Sequence, residues 1–243
     1  MATATHRRVG LLIPSSNTMI EQEFPFALPR GLSAHFGRVE MTTLDDAGLR
    51  AQDVDLVRQA QLLGTAKIDA VLFCQSVYGF HRGRDHDQAM AERLAAAAGC
   101  PAVTAAGAMV EAASALGVRR LAFVTPFGPA LNESVRRYFA ERGFETVAMG
   151  GFTFSDNFAI AQVRPDDLVA AIRQGDTREA EAIVVPGGNL PCLGVIEAVE
   201  AALGKPMICT NQASIHAVLR RIGWDGPAPT GMGRLFAMDR RTA

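Results

Sequence analysis

Cys74 closes the apolar run Asp69-Ala-Val-Leu-Phe-Cys74 and is followed at once by the polar stretch Gln75-Ser76-Val77-Tyr78-Gly79. A buried parallel strand looks like this when it delivers a side chain to its carboxyl edge, where open α/β sheets place their ligands. A thiol there, backed by the start of a helix, can be tuned toward thiolate and used as a nucleophile or proton donor. Cys192 is a second candidate, because it follows Gly187-Gly-Asn-Leu-Pro191 near another helix start. Cys100 and Cys209 lie in or beside Pro-x-Val/Ile-x-Thr strands and read as small core residues.

Four strand ends carry small polar residues that could face such a thiol. They are Pro14-Ser15-Ser16-Asn17-Thr18, Gln75-Ser76, Thr125-Pro126-Phe127-Gly128 and Gly187-Gly188-Asn189. Hydroxyls, amides and free backbone N–H groups at a helix start can hold a carboxylate. The same residue types are also favoured as ordinary helix caps, so each end taken alone is ambiguous. His81 and His86 read as a solvated turn and helix start. No His/Cys/Asp/Glu group has metal-ligand spacing, and neither G-x-G-x-x-G nor G-x-x-x-x-G-K-[ST] is present. No metal and no nucleotide cofactor is expected.

These ends must be positioned by repeated βαβ units. Arg8-Val-Gly-Leu-Leu-Ile-Pro14 recurs as Arg120-Leu-Ala-Phe-Val-Thr-Pro126, and sixty residues after each proline another strand closes, at Cys74 and at Pro186. Gly99-Cys-Pro-Ala-Val-Thr104 is echoed by Gly204-Lys-Pro-Met-Ile-Cys-Thr210, and each Thr starts an Ala-rich helix ending thirteen residues on, at Gly117 and Gly223. The pattern predicts an α/β protein of two pseudo-symmetric, Rossmann-like lobes with mainly parallel sheets and a cleft between them. The expected division is residues 1–104 plus 213–243 for the first lobe and 105–212 for the second, with handovers near Thr104 and Thr210. Helices are expected over Asp53–Ala66, Asp85–Ala98, Pro129–Arg142 and Val195–Leu203, one more opens at Pro165, and the tail from Gly231 to Phe236 reads as irregular.

The formal net charge is −1 with mixed signs along the chain, and no basic stripe suggests nucleic acid. The apolar run Val9–Ile13 is too short for a signal peptide or a membrane span. A cytoplasmic protein with four reduced cysteines is expected. Its partners would be a small-molecule carboxylate substrate and further copies of itself in a homo-oligomer, with no nucleic acid and no membrane.

Pro14-Ser-Ser-Asn-Thr18, Cys74-Gln-Ser76, Thr125-Pro-Phe127, Asp156-Asn157 and Gly204-Lys-Pro206 through Asn211-Gln212 resemble the aspartate/glutamate racemase superfamily, within its maleate cis–trans isomerase and arylmalonate decarboxylase branch. The resemblance runs along nearly the whole chain. It implies that Asn17 and Asn157 bind one substrate carboxylate, that Ser76 and the Gly187–Gly188 backbone bind another, and that Cys74 is the first-lobe cysteine. Two positions depart from the pattern. The place of the second-lobe cysteine falls on Gly187, with Cys192 five residues later, and the tyrosine expected after Thr-Pro is Phe127. Two-thiol racemisation is therefore disfavoured. A single-thiol reaction is expected, either cis–trans isomerisation through addition to a double bond or decarboxylation with Cys74 as proton donor. A carboxylate-binding module without chemistry is the remaining alternative.

Overall fold

The computed structural model describes residues 6–41, 46–154 and 156–239. β1 (Arg7–Pro14), β2 (Leu32–Val39), β3 (Ala70–Phe73) and β4 (Ala102–Thr104) form a parallel sheet in the order β2-β1-β3-β4. β5 (Arg120–Thr125), β6 (Glu145–Gly151), β7 (Ala182–Val185) and β8 (Met207–Cys209) form a second in the order β6-β5-β7-β8. The second order is the first shifted by four strands, as the sequence repeat predicts. Each sheet reverses direction about its first strand, so a crevice opens at the carboxyl ends between β1 and β3 and between β5 and β7. Pro14 and Cys74 mark the first crevice, and Thr125 and Gly187 the second.

Parallel strands need crossovers, and helices supply them. The helices are α1 (Ile20–Ala27), α2 (Asp46–Thr65), α3 (Ser76–Arg82), α4 (Arg84–Ala98), α5 (Ala105–Ala115), α6 (Pro129–Ala140), α7 (Asn157–Ala161), α8 (Pro165–Gly175), α9 (Ile196–Leu203), α10 (Thr210–Arg221) and α11 (Gly233–Asp239). Helices cover both faces of the first sheet, which is why its strands read as nearly unbroken apolar runs. The two-residue period of β1 sorts its side chains accordingly. Val9, Leu11 and Ile13 join a core that also holds Leu121, Phe123 and Val184, while Leu12 joins Val71, Phe73, Leu56 and Leu94 in a separate outer cluster.

Each repeat passes from its last strand into a helix at an equivalent threonine, Thr104 and Thr210. Thr104 caps α5 by accepting the Gly107 N–H at 3.2 Å. In the second lobe the cap position moves one residue back to Cys209, where the backbone N–H donates to Gln212 Oε1 at 3.1 Å. This frees Thr210, whose hydroxyl accepts the Gly187 N–H at 3.0 Å and so fixes a strand end. α5 and α10 pack on each other between the sheets. A further bridge runs from the Tyr138 hydroxyl of α6 to Asp87 of α4 at 2.7 Å, with Arg142 stacked 3.6 Å over the tyrosine ring.

Three features differ from the sequence reading. α2 begins at Asp46 rather than Asp53. Asp53 is no cap, because its carboxylate accepts the Tyr78 hydroxyl, which is also in contact with His86 Nε2 at 2.7 Å. The tail forms α11 instead of irregular chain, with Leu235 and Phe236 buried and the Arg234 N–H donating to Glu200 Oε2 at 2.8 Å. The outer strands β2 and β6 have no counterpart among the expected elements. No helix among the described residues is long and apolar enough to cross a membrane.

Candidate functional site

The facing crevices enclose one pocket. Pro14, Asn17, Met41, Cys74, Gln75, Ser76, Val77, Phe127, Asn157, Ile160, Gly187, Gly188 and Asn189 line it. Its interior offers about 40 Å³ to the centre of a water-sized sphere, which corresponds to room for roughly three waters. No charged side chain lines it among the described residues. The pocket therefore holds one thiol, a set of neutral amides and a hydroxyl, and an apolar wall of Met41, Val77, Phe127 and Ile160.

Cys74 is 3% exposed, follows β3, and has its backbone N–H on Leu12 O at 2.9 Å. Its thiol donates to Leu72 O at 3.6 Å, a long and weak bond. Burial pushes the Cys74 thiol well above the ordinary cysteine range. This corrects the expectation of a thiol tuned toward thiolate: in the resting pocket it is protonated. Iodoacetamide at pH 7 should accordingly alkylate Cys74 more slowly than the half-buried Cys100, read by peptide mass spectrometry. Fastest labelling at Cys74 would mean that the thiolate forms without substrate.

Gln75 and Ser76 flank the thiol with unsatisfied polar atoms. The Gln75 amide donates to Met41 Sδ at 3.1 Å, but its Oε1 and the Ser76 hydroxyl have no partner although both are buried. Buried orphans of this kind await a polar guest. Asn17 serves the fold and the pocket together. Its Oδ1 accepts the Met19 and Ile20 N–H groups at 3.0 and 2.9 Å and so caps α1. Its Nδ2 donates to Gly188 O at 3.3 Å, across the lobes. Asn189 returns the link: Oδ1 accepts the Thr18 and Met19 N–H groups at 3.0 and 3.2 Å, and Nδ2 donates to Asn157 O at 2.6 Å. Asn157 in turn donates to Ser16 Oγ at 2.9 Å. Gly187 takes φ +114° and lies so close to Pro126 that an added Cβ would come within 2.9 Å of its Cγ, so the second-lobe wall meets the chain between β5 and α6 there.

Three expected site residues lie elsewhere. Cys192 is buried but does not line the pocket. Its hydrogen bond with the Cys209 thiol, then burial, push its thiol well above the usual range, and the Glu23 carboxylate adds to this. Ser15 uses its hydroxyl to accept the Met41 N–H at 3.0 Å. Thr125 is fully buried, donates to Asn132 Oδ1 at 2.6 Å and accepts the Phe127 N–H at 3.3 Å, so it shapes the turn rather than touching a guest. Met41, Val77 and Ile160 were not expected. Met41 follows the unexpected strand β2, and Ile160 stands one helical turn after Asn157, a spacing that could have suggested it. Among the described residues no group of three His, Cys, Asp or Glu side chains could hold a metal ion.

Two repeated parallel sheets, with a thiol where their crevices face each other, define an α/β protein of the aspartate/glutamate racemase-like superfamily. The sequence model of the arylmalonate decarboxylase family matches residues 9–236, and the chain belongs to that family. It is 31% identical to the maleate isomerase of Nocardia farcinica over 243 residues, covering 96% of each chain. A cysteine-to-alanine variant of the maleate isomerase Iso from Pseudomonas putida S16, solved with maleate, superposes with a TM-score of 0.89 at 31% identity, covering 95% of this chain and 97% of that one. A cysteine-to-serine variant of the Nocardia farcinica maleate cis–trans isomerase, solved with a covalently bound succinylcysteine intermediate, superposes with a TM-score of 0.87 at 31% identity, covering 96% and 99%.

Proposed function

We propose that the chain is a cofactor-independent cis–trans isomerase of the maleate isomerase type, with Cys74 as the thiol that adds to the double bond. The observation that carries this reading is a single pocket thiol beside the orphaned Gln75 Oε1 and Ser76 Oγ, in a small cavity with no charged side chain among its described lining residues. The relatives whose structures hold maleate or a succinylcysteine support it.

The chemistry balances on the thiol alone. The Cys74 S–H bond breaks, a C–S bond forms at one olefinic carbon, and the proton ends on the other. The saturated adduct rotates about its central single bond. Elimination reverses the two steps, returns S–H to Cys74 and releases the trans acid. Burial keeps the resting thiol protonated, so S–H must break as sulfur attacks, and the proton it gives up is the one the second olefinic carbon receives. Asn17, Asn157, Ser76 and the Gly188–Asn189 segment hold the carboxylates with neutral donors, and the apolar wall keeps water from the reacting carbons.

The family's name raises a second reading, decarboxylation of an arylmalonate with Cys74 donating its proton to the carbanion left by CO₂. The small cavity favours a four-carbon diacid over one that carries an aromatic ring. Purified protein, with no added metal or nucleotide, should convert maleate to fumarate by proton NMR and release no CO₂ from phenylmalonate. CO₂ release without fumarate would turn the assignment to the decarboxylase, and neither product would leave only a binding role. The four free cysteines support a reducing compartment, the cytoplasm, as the protein's location.

A further inference from the structure

We infer that Glu23, on the inner face of α1, is a positioning residue whose carboxylate holds the second-lobe wall of the pocket in place through Asn211 and the turn after Leu190. Its kinetic consequence rests on the isomerase reading above; its structural consequence does not. The Asn211 amide donates both to Glu23 Oε2 at 2.6 Å and to Gly188 O at 3.1 Å. The Leu193 N–H donates to Glu23 Oε1 at 3.2 Å, while the neighbouring Cys192 N–H closes the turn on Leu190 O at 2.8 Å. The Gly188 carbonyl receives its other amide from Asn17, at 3.3 Å. One wall residue is thus gripped by one amide from each lobe, and Glu23 fixes the second-lobe amide.

Every partner of the carboxylate is a donor. A protonated carboxyl would bring a hydrogen into a ring whose carbonyl, Gly188 O, already accepts twice. No cation pairs with Glu23 among the described residues. On its own helix, Glu21 turns away to Arg38. The titratable groups that face it are the thiol of Cys192 and, behind that, Cys209 at the end of β8, while α10 presents only the Asn211 amide. Burial pushes the Glu23 carboxyl up and the donors pull it back, leaving it at about 7. The grip is therefore complete above neutrality and is released as the pH falls through about 7.

The test combines kinetics with amide hydrogen exchange. In the wild type, kcat/KM for maleate should fall below pH 7 with a one-proton slope. Glu23→Gln should flatten that acidic limb and lower the value at pH 8 by about tenfold, the loss of one charge-assisted hydrogen bond. Exchange of residues 187–193, corrected for the intrinsic rate, should be faster at pH 6 than at pH 8 in the wild type and fast at both in the variant. The wild-type pH comparison needs no variant to fold. Retention of both the wild-type kcat/KM and the acidic limb in Glu23→Gln would overturn the inference, as would exchange unchanged by pH and by substitution. If maleate is not turned over but residues 187–193 still loosen, the isomerase reading fails while the positioning role stands.

Discussion

Cys74→Ala should lower turnover of maleate by on the order of 10²–10⁴-fold or more, because the thiol disappears and among the described residues no other lining group can form the adduct. The fold should survive, since a buried cysteine behaves as a small hydrophobe and alanine leaves only a sulfur-sized gap. Cys74→Ser should be nearly as damaging, because a hydroxyl is a poorer nucleophile near neutrality and its proton is more tightly held. Cys192→Ala should keep most of the activity and lose a little stability, because Cys192 packs on Cys209 behind the wall. Steady-state kinetics on the three variants, with mass spectrometry for a covalent adduct of succinyl mass, checks the set. Wild-type rates in Cys74→Ala, or loss of activity on replacing Cys192 alone, would move the chemistry to the second lobe.

Gly151→Ala is expected to destabilise the protein by about 3–5 kcal/mol, a large part of the roughly 5–15 kcal/mol that holds a domain together. Gly151 has φ +118°, and an added Cβ would lie 2.3 Å from Thr125 O and 2.7 Å from Thr125 N. Both are backbone atoms of the paired strand β5, so no side chain can swing aside. The damage should reach the pocket, because the displaced segment also carries Pro126 and Phe127, and the Phe152 N–H on Thr125 O at 2.8 Å would be lost. Gly150→Ala, one residue earlier, meets nothing within 4 Å and should be close to neutral. Urea midpoints separate the two; equal midpoints would mean that β6 does not lie against β5 in this register.

The strands legible in the sequence are the thoroughly buried ones, the short edge strands β4 and β8 included. β1, β3, β5 and β7 stand at the centres of their sheets, so their apolar runs and the spacing between them betray fold, repeat and the position of Cys74. The edge strands β2 and β6 are partly exposed and mix small and polar residues, as in Leu32-Ser-Ala-His-Phe-Gly-Arg-Val39, so neither alternation nor a run marks them. With β2 missed, Met41 was missed too. Most residues of the strand-end motifs line one pocket, but the motifs do not tell the direction of each side chain. Ser15 and Thr125 spend their hydroxyls on the backbone and on Asn132. Cys192 lies near the wall in sequence yet faces Cys209. Such choices are set by which partner each side chain meets once the chain has folded, which a strand-end motif does not encode. Glu23 illustrates this further, since its partners, Leu193 and Asn211, stand 170 and 188 residues along the chain.

The apolar cluster that unites Val9, Leu11 and Ile13 with Phe123, Val184 and Ile208 belongs to neither repeat, while only the outer layer under α2 and α4 has a cluster of its own. Two bodies that share their interior cannot swing apart like jaws without tearing it, so a hinge between the repeats is not how a substrate gets in. Access is then expected from the outside, by loosening of the layer that packs separately, where α2 carries the exposed Val54 and Leu62 on its outer face. In such a molecule the halves keep the vessel rigid, and its door is cut into the one wall that is not common to both.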